Sequence, residues 1–285
     1  MGIVKGQIYR VHTNSYLVKT EDGVLPCKAK GIFKKHKQNL LVGDYVTIEN
    51  GVISSVSERK NTFIRPSVSN VDVVVLIISP EPKPDFYLID KVLINSVKED
   101  VKVIFAINKQ DLNNSNIYEK ITNEYKLTSV EVLPISAKTG DGVEQLKQKL
   151  KGKVSVLCGQ SAVGKTTLIN AMFNLDLKTG DLSSIGRGKH TTTRSEIFEY
   201  DNVKLVDSPG FSVIDALVTK EELPECYEEY LNVSGECKFR GCSHIDEPNC
   251  RVKELVLQGV YSVERYNRYV EIYSEIKRRK VYERD

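Results

Sequence analysis

Residues 159–166, GQSAVGKT, place two glycines, a lysine and a threonine at the spacing of a phosphate-binding loop. The apolar run KVSVLCG before it predicts a buried strand, and TTLINAMF after it predicts a helix. Glycines let successive backbone amides converge on phosphate oxygens, and the positive end of the helix dipole strengthens that contact. The predicted triphosphate contacts are Gly159, Gln160, Ser161, Ala162, Val163, Gly164, Lys165, Thr166 and Thr167.

Two side chains of this loop have separate predicted roles. Lys165 adds a positive charge beside the phosphates and is a predicted catalytic residue, while the hydroxyl of Thr166 is a predicted Mg²⁺ ligand. A glycine-rich turn with a surface lysine would be an adequate interpretation of this segment alone, because short patterns recur by chance. The motifs described next argue against that alternative.

A second motif, NKQD at residues 108–111, follows the predicted strand VKVIFAI. The carboxylate of Asp111 can accept two hydrogen bonds from the edge of guanine, whereas adenine lacks this pair of donors. Asn108 is predicted to support neighbouring loops and Lys109 to lie along the base. A lone NKxD could be a polar turn, but Ser136, Ala137 and Lys138 follow another apolar strand and match the SAK loop that supports the base. Together the two loops predict a guanine site.

Downstream of the phosphate loop, VKLVDSPG supplies a DxxG motif at the end of a predicted strand. Asp207 is predicted to reach Mg²⁺ through water, and the amide of Gly210 to contact the γ-phosphate. Residues 186–194, GRGKHTTTR, fall where the first switch segment must lie. We expect Thr193, or failing that Thr192, to complete the Mg²⁺ shell.

The residue after DxxG is Phe211, whose apolar ring cannot orient an attacking water. This predicts slow intrinsic hydrolysis, on the order of 10⁻⁴ to 10⁻² s⁻¹, and a partner that completes the site. One hypothesis is that His190 orients or deprotonates the water once the partner orders its loop. A solvated loop histidine is an equally good interpretation, and Arg187 and Lys189 could instead offset phosphate charge.

Further along the chain, three cysteines and a histidine form CxxxxCxHxxxxxC, namely Cys237, Cys242, His244 and Cys250. This is zinc spacing. Four protein ligands fill a tetrahedral shell, so we expect one structural Zn²⁺ rather than a catalytic ion. Disulfides fit poorly because no signal peptide is visible and we expect a cytoplasmic protein.

The order of the motifs is unusual, because NKQD and SAK precede the phosphate loop and DxxG follows it. With GRGKHTTT, DSPGF and the cysteine–histidine cluster, this order resembles the ribosome small subunit-dependent GTPase A family, over essentially the whole chain. The resemblance implies a circularly permuted GTPase that binds the small ribosomal subunit and its rRNA during late maturation. It also implies GTP and GDP as ligands and conversion of GTP to GDP and phosphate.

Pattern and charge divide the 285 residues into three predicted domains. Residues 1–65 alternate short strands with Asp-Gly and Asn-Gly turns, which predicts an OB-type β-barrel. Residues 66–215 alternate apolar strands and helices, which predicts a mainly parallel doubly wound α/β sheet, and residues 216–285 form a helical zinc-binding domain. Residues 60–70 are the predicted linker.

The net charge of +3 is unevenly distributed, since residues 1–65 hold 11 Lys and Arg against 5 Asp and Glu, which leaves −3 for the remainder. A basic barrel suits RNA. The predicted contacts are Lys28, Lys30, Lys34, Lys35 and Lys37, with Phe33 and His36 interleaved for base stacking. No apolar run approaches the roughly 18 residues that would span a membrane. We also expect the protein to be a monomer.

These observations favour a GTP hydrolase that matures the small subunit, with slow intrinsic activity stimulated by the subunit, and with GTP-dependent docking and release. In this hypothesis the second switch segment leads directly into the zinc domain and reorients it. The alternative is an RNA-binding assembly scaffold in which nucleotide is mainly structural. A metabolic P-loop ATPase or kinase is a third class, against which NKQD and SAK argue.

Overall fold

The computed structural model describes residues 3–13, 15–31, 33, 39–64, 67–112, 116–176, 196–207 and 215–282. They form a barrel, a central sheet with helices on both faces, and a helical C-terminal region. Among the described helices, none is both long and apolar enough to cross a bilayer.

The N-terminal barrel consists of five strands: β1 (Ile3–Val11), β2 (Tyr16–Thr20), β3 (Gly23–Ala29), β4 (Tyr45–Glu49) and β5 (Val52–Val56). They pair in the order β1-β2-β3-β5-β4, and β4 returns to β1, so the barrel is closed. Inward-facing apolar side chains fill it, as expected of a small barrel. The predicted OB-type barrel is confirmed.

One predicted RNA contact in the barrel is wrong. Phe33, expected to stack on bases, is 7% exposed and belongs to the barrel core, where its ring packs with Leu40 and other aliphatic side chains. Lys28 is exposed, and the ammonium of Lys30 pairs with Glu49 at 3.1 Å. The other predicted contacts, Lys34, Lys35, His36 and Lys37, lie outside the described residues.

The predicted linker is a packed hairpin of β6 (Thr62–Phe63) and β7 (Val68–Ser69). Two asparagine side chains fix it: Asn61 Nδ2 donates to Val71 O at 2.8 Å, and Asn70 Nδ2 donates to Gly43 O at 2.9 Å. These residues are buried, so their amides replace water as partners of the turning backbone. The sequence suggested a linker because asparagine and serine are also typical of exposed loops.

The central sheet contains β8 (Val73–Ile78), β9 (Lys102–Ile107), β10 (Glu131–Pro134), β11 (Val154–Cys158), β12 (Glu196–Tyr200) and β13 (Val203–Asp207). Their order is β10-β9-β8-β11-β13-β12, and every pair is parallel except β12 with β13. The inner strands β8, β9 and β11 are almost wholly buried, as a sheet covered on both faces requires, whereas the outer strands β10 and β12 are partly exposed. The predicted mainly parallel sheet is confirmed.

Four helices cover the sheet: α1 (Phe86–Lys98), α2 (Ile117–Glu124), α3 (Val143–Leu150) and α4 (Lys165–Phe173). The first two share one apolar core with the sheet, and the last two share the other. Asp85 caps α1, because its Oδ1 accepts from Leu88 N at 3.0 Å. Parallel strands joined by helices bring all their carboxyl ends to one edge.

The barrel is attached to the sheet through the edge strand β12. Arg10 of β1 pairs with Glu196 of β12, so the two sheets form one continuous series of 11 strands. The hydroxyl of Tyr9 also donates to the carboxylate of Glu199. Barrel and central sheet therefore share a hydrogen-bonded border.

The C-terminal region contains α5 (Glu228–Leu231), α6 (Arg251–Leu257) and α7 (Val263–Tyr282), with 3-10 turns at Leu223–Cys226 and Ser234–Glu236. Its core includes Ile94 of α1. Asn95 of α1 adds two hydrogen bonds, from its Nδ2 to Asp215 O at 2.9 Å and from Leu217 N to its Oδ1 at 2.8 Å. The region is thus packed directly on the helix that follows β8.

The buried face of α7 combines apolar residues with a charged one. Tyr269, Ile272 and Ile276 are fully or almost fully buried, whereas Val263 at the start of the helix is 49% exposed. Arg265 is also buried, although it carries a charge.

Candidate nucleotide-binding site and metal centre

The loops that follow β9, β10 and β11 meet at the carboxyl edge of the central sheet. Asn108 joins them: its Nδ2 donates to Val163 O at 2.8 Å, and its Oδ1 accepts from Ala137 N at 2.9 Å. Asparagine suits this position because one amide carries both a donor and an acceptor. The side chain is 2% exposed, so the three loops are fixed to one another without water.

Lys109 continues this connection at the surface. Its ammonium donates to Ala162 O at 3.0 Å and to Glu81 O, which ties the NKQD loop to the phosphate loop and to the turn before α1. The backbone of Lys109 has a φ of 63°, in the left-handed region. This conformation is uncommon outside glycine and often occurs at functional turns.

The side chain of Asp111 lies beside the SAK loop. Its Oδ1 accepts from Ser136 Oγ at 2.8 Å, and its Oδ2 is 3.9 Å from the ammonium of Lys138. Ser136 is 1% exposed, whereas the Asp111 side chain is 16% exposed. The carboxylate is therefore held in place by the loop, and it keeps part of its surface open for a ligand with two donors.

The phosphate loop depends on two glycines with positive φ. Gly159 has φ +142°, and a Cβ there would approach Ile77 O to 2.4 Å; Gly164 has φ +98°, and a Cβ there would approach Asn108 Nδ2 to 2.5 Å. Any side chain at Gly164 would therefore displace the asparagine that joins the loops. These contacts explain why the motif has glycine at both positions.

Lys165 begins α4 and folds back over the loop. Its ammonium donates to Gly159 O at 2.7 Å and to Gln160 O at 2.6 Å. Burial lowers the pKa of Lys165 from its usual value. Thr166 and Thr167 follow it in the first turn of the helix. A cation, hydroxyls and helix amides thus point to an anionic ligand.

Gln160 makes a contact that the motif did not predict. Its Oε1 accepts from Asp85 N at 3.0 Å, and its Nε2 donates to Lys83 O at 3.2 Å. The phosphate loop is thereby attached to the turn that leads into α1, the helix on which the C-terminal region packs. No sequence signal indicates this pairing, because Gln160 occupies a variable position of the motif.

Several predicted site residues lie outside the described residues: Arg187, Lys189, His190, Thr192, Thr193, Gly210 and Phe211. Asp207 ends β13, where its backbone pairs with Glu196. Because β13 runs parallel to β11, this strand end lies on the same edge as the phosphate loop.

The four predicted metal ligands come together in the C-terminal region. The sulfurs of Cys237, Cys242 and Cys250 and a ring nitrogen of His244 all lie within 4.8 Å of one another. His244 Nδ1 is 3.3 Å from Cys250 Sγ and 3.7 Å from Cys237 Sγ. Typical Zn–S and Zn–N distances of about 2.3 and 2.1 Å would place an ion between such atoms. The cluster fits a metal site of the soft, four-ligand type.

Two tyrosines of α7 form hydrogen bonds with the backbone of the loop that contains the four metal ligands. The hydroxyl of Tyr266 donates to His244 O at 2.7 Å, and the hydroxyl of Tyr269 donates to Ser243 O. Glu247 closes the loop by accepting from Ser243 N at 2.7 Å. Burial alone would raise the pKa of Glu247, but the hydrogen bonds from Ser243 and Ile245 lower it to about 2.

A buried ionic network, which sequence analysis missed, joins the C-terminal region to the sheet domain. Arg265 donates to Asp90 of α1 and to Glu229 of α5, and its guanidinium lies 4.6 Å from the ring centroids of Tyr125 and Tyr227. Arg268 extends the network from Asp90 to Glu124 of α2. Two arginines three residues apart within an otherwise apolar helix stripe were the available signal.

Comparison with known proteins agrees with this geometry. A family model described as RsgA GTPase matches residues 56–217, and one described as RsgA N-terminal domain matches residues 5–53. The Small ribosomal subunit biogenesis GTPase RsgA of Clostridium beijerinckii is 38% identical over 282 residues, covering 96% of this chain and 97% of that protein.

Two solved structures are also similar. The crystal structure of YjeQ from Thermotoga maritima has a TM-score of 0.81 and 34% identity, covering 96% of this chain and 99% of that chain. YloQ, described as a circularly permuted GTPase, has a TM-score of 0.80 and 31% identity, covering 98% of this chain and 96% of that chain. The permuted order of motifs is thus shared along the whole chain, and the chain belongs to the RsgA GTPase family.

Proposed function

We propose that this chain is a GTP hydrolase that acts in the late maturation of the small ribosomal subunit. The main observation behind the proposal is that Asn108 forms hydrogen bonds with both the SAK loop and the phosphate loop. These bonds bring the base-side loops and the phosphate loop to one site. Its relatives are named small ribosomal subunit biogenesis GTPases. The family and the arrangement of these loops both indicate guanine nucleotide as the ligand.

In the proposed complex, Asp111 accepts two hydrogen bonds from guanine, and Ser136 holds its carboxylate. Lys109 lies along the base, and the loop of Ser136, Ala137 and Lys138 supports it. The amides of residues 159–167 and the ammonium of Lys165 bind the phosphates. Thr166, Asp207 and Thr193 are the proposed Mg²⁺ ligands, and the ion would supply charge stabilisation at the phosphates. GDP and phosphate are the products.

The residue that we propose for activating the attacking water lies outside the described part of the chain. Phe211 offers no hydrogen bond to water, so the isolated enzyme should be slow. We propose that His190 orients the water when the ribosomal subunit orders its loop. This proposal rests on the sequence and on the position of the loop between β11 and β13.

The cysteine–histidine cluster is proposed to hold one structural Zn²⁺. Four protein ligands leave no position for substrate, so the ion would fold the loop of residues 237–250 rather than act in hydrolysis. We also propose three domains, 1–65, 66–215 and 216–285. Apolar cores centred on the barrel, the sheet and the C-terminal region support this division, with contacts across the borders from Tyr9 and Val42 to the sheet core and from Ile94 to the C-terminal core.

GTP-dependent docking and release must be consistent with the packing of the C-terminal region on α1. The buried network of Arg265, Asp90 and Glu229 opposes a free swing of that region. We therefore propose that Gln160 and α1 transmit the state of the phosphate loop, in place of a direct pull by the second switch. The basic barrel is the proposed rRNA contact, in a monomeric cytoplasmic protein.

The decisive experiment measures phosphate release from GTP with and without purified small subunits. We expect strong stimulation by the subunits, and loss of it in Lys165→Ala. Large subunits and ATP are the matched controls. Subunit binding without any stimulation would instead support a scaffold in which nucleotide is structural, and tighter binding with GDP than with a non-hydrolysable GTP analogue would reverse the proposed order of docking and release.

A further inference from the structure

The turn before α1, residues 79–85, has a sequence that restricts how neighbouring loops can hold it. It reads SPEPKPD, with proline at positions 80, 82 and 84. Proline has no backbone N–H and a nearly fixed φ, so these positions offer carbonyl oxygens to their neighbours but no amide donors. The groups that hold this turn must therefore be mainly hydrogen-bond donors.

The carbonyl of Glu81, in the middle of the turn, accepts two hydrogen bonds. The hydroxyl of Ser79 donates to Glu81 O at 2.7 Å, and the ammonium of Lys109 donates to the same oxygen. A carbonyl oxygen has two lone pairs, so both bonds form together. Ser79 directly follows β8 and is 1% exposed, so water does not compete for its hydroxyl.

The ammonium of Lys109 is held from two sides. Besides Glu81 O of the turn, it donates to Ala162 O of the phosphate loop at 3.0 Å. A flexible four-carbon stem separates this ammonium from the backbone, so the side chain keeps one position only where fixed acceptors hold it. The place of Glu81 O therefore helps to set the path of the lysine stem, which is predicted to lie along the base.

The second half of the turn is bound to the phosphate loop by Gln160. Its Nε2 donates to Lys83 O at 3.2 Å, and its Oε1 accepts from Asp85 N at 3.0 Å. Asp85 follows the last proline of the turn and has an N–H to donate. One turn thus supports the base-side loop through Lys109 and the phosphate loop through Gln160.

We propose that Ser79 is a positioning residue for guanine nucleotide. Its hydroxyl orients the carbonyl of Glu81, which holds the ammonium of Lys109, so the lysine stem is in place before the nucleotide binds. Preorganised contacts bind more tightly because less conformational entropy is lost on binding. This inference rests on the proposed guanine site, and it adds a residue that belongs to none of the nucleotide-binding motifs.

The test measures the affinity of the full chain for GDP and for a non-hydrolysable GTP analogue by calorimetric titration. We expect Ser79→Ala to weaken both nucleotides by the same factor, about 2- to 10-fold, which is the effect of one hydrogen bond. In steady-state hydrolysis KM should rise and kcat should stay unchanged, because the contact is equal in the ground state and the transition state. An unchanged affinity would overturn the role of Ser79, whereas a parent chain that binds no guanine nucleotide would overturn the proposed function itself.

Ser96→Ala is the matched control. Ser96 is also 1% exposed, and its hydroxyl donates to a backbone carbonyl, Val92 O, at 2.8 Å. It lies in α1, about 15 Å along the helix axis from Phe86, where the helix begins. Both variants should lose thermal stability to a similar degree, but only Ser79→Ala should lose nucleotide affinity. Equal losses of affinity would indicate a general structural effect and contradict the proposal.

A double-mutant cycle tests whether Ser79 acts through Lys109. Lys109→Met removes the ammonium and keeps an unbranched stem. We expect the GDP affinity of Lys109→Met to fall no further when Ser79→Ala is added, because the two residues belong to one chain of contacts. If the double variant shows the full additional loss, Ser79 acts through another group and the proposed role is wrong.

Discussion

The side-chain amide of Asn108 donates a 2.8 Å hydrogen bond to the carbonyl of Val163, and through this bond the base-side loop supports the phosphate loop. Replacing Asn108 with alanine leaves that carbonyl and the amide of Ala137 buried and unpaired. We expect a loss of about 2–4 kcal/mol in the free energy of unfolding, from two unpaired groups, and weaker GTP binding. Urea denaturation and nucleotide titration measure the two effects. Asn267→Ala, at an exposed position of α7, should change neither.

The carboxylate of Asp111 defines the second prediction. In Asp111→Asn the side-chain oxygen can still accept from Ser136, but the amide nitrogen presents a donor where guanine also presents one. We expect GTP affinity to fall by about 100-fold or more, because an unmatched polar group in a built site is strongly rejected. Xanthosine triphosphate carries a carbonyl at that position, so its affinity should rise. Parallel losses for both nucleotides would mean that Asp111 only supports the loop.

The metal ligands define the third prediction. Cys250→Ser removes one of four ligands, and we expect the bound ion, one per chain in the parent protein, to be lost. Because metal binding in such loops can contribute on the order of 10 kcal/mol to local folding, amides near residues 237–250 should exchange faster with solvent. Elemental analysis and hydrogen exchange provide the measurements. Cys27→Ala, in the barrel, should leave the metal content unchanged.

The fourth prediction concerns the pH dependence of folding stability and rests on Glu275. Burial by itself raises its pKa, but hydrogen bonds from Tyr87, Lys91 and Arg279 outweigh it and lower the pKa from 4.5 to about 2. The folded state therefore gains stability above pH 4.5, and this gain disappears as the pH falls towards 2. We expect Glu275→Gln to lower the free energy of unfolding by about 1–3 kcal/mol at pH 7. At pH 3 the difference in stability between the variant and the parent protein should be smaller. Unfolding curves at both pH values check this, with the exposed Glu271→Gln as control.

The network at Arg265 leads to the fifth prediction. Arg265→Met leaves Asp90 and Glu229 buried without their shared partner, and breaking such a pair costs about 3–5 kcal/mol. Asp90 keeps its contact with Arg268, so the lower end of that range is expected. Arg278→Met on the exposed side of the same helix is the matched control. A loss below 1 kcal/mol in urea denaturation would contradict a structural role for the network.

The sequence predicted the sheet, its helices and the meeting of the loops because each depends on local patterns. Strands such as β8 are continuous apolar runs, and the loop after β11 matches a motif whose glycines have identifiable backbone conformations. The barrel was also predictable, since its turns contain Asp-Gly and Asn-Gly pairs. Parallel connections then bring the loops to one edge without further information.

Contacts between distant segments were not predictable. The bond between Gln160 and the turn before α1, the burial of Arg265 between two tyrosine rings, and the hydrogen bonds of Asn61 and Asn70 all join residues that share no local pattern. Phe33 was misassigned for a related reason. A single aromatic residue among lysines has no periodicity, so the sequence could not distinguish a core ring from an exposed one.

The pairing between β1 and β12 affects the tendency of the protein to aggregate. A sheet that ended at β12 would offer a row of bare peptide groups to any passing chain, which is the usual starting point for aggregation. The barrel covers the start of that edge, where Arg10 pairs with Glu196, so a fragment that lacks the barrel should aggregate more readily even if its remaining core folds correctly.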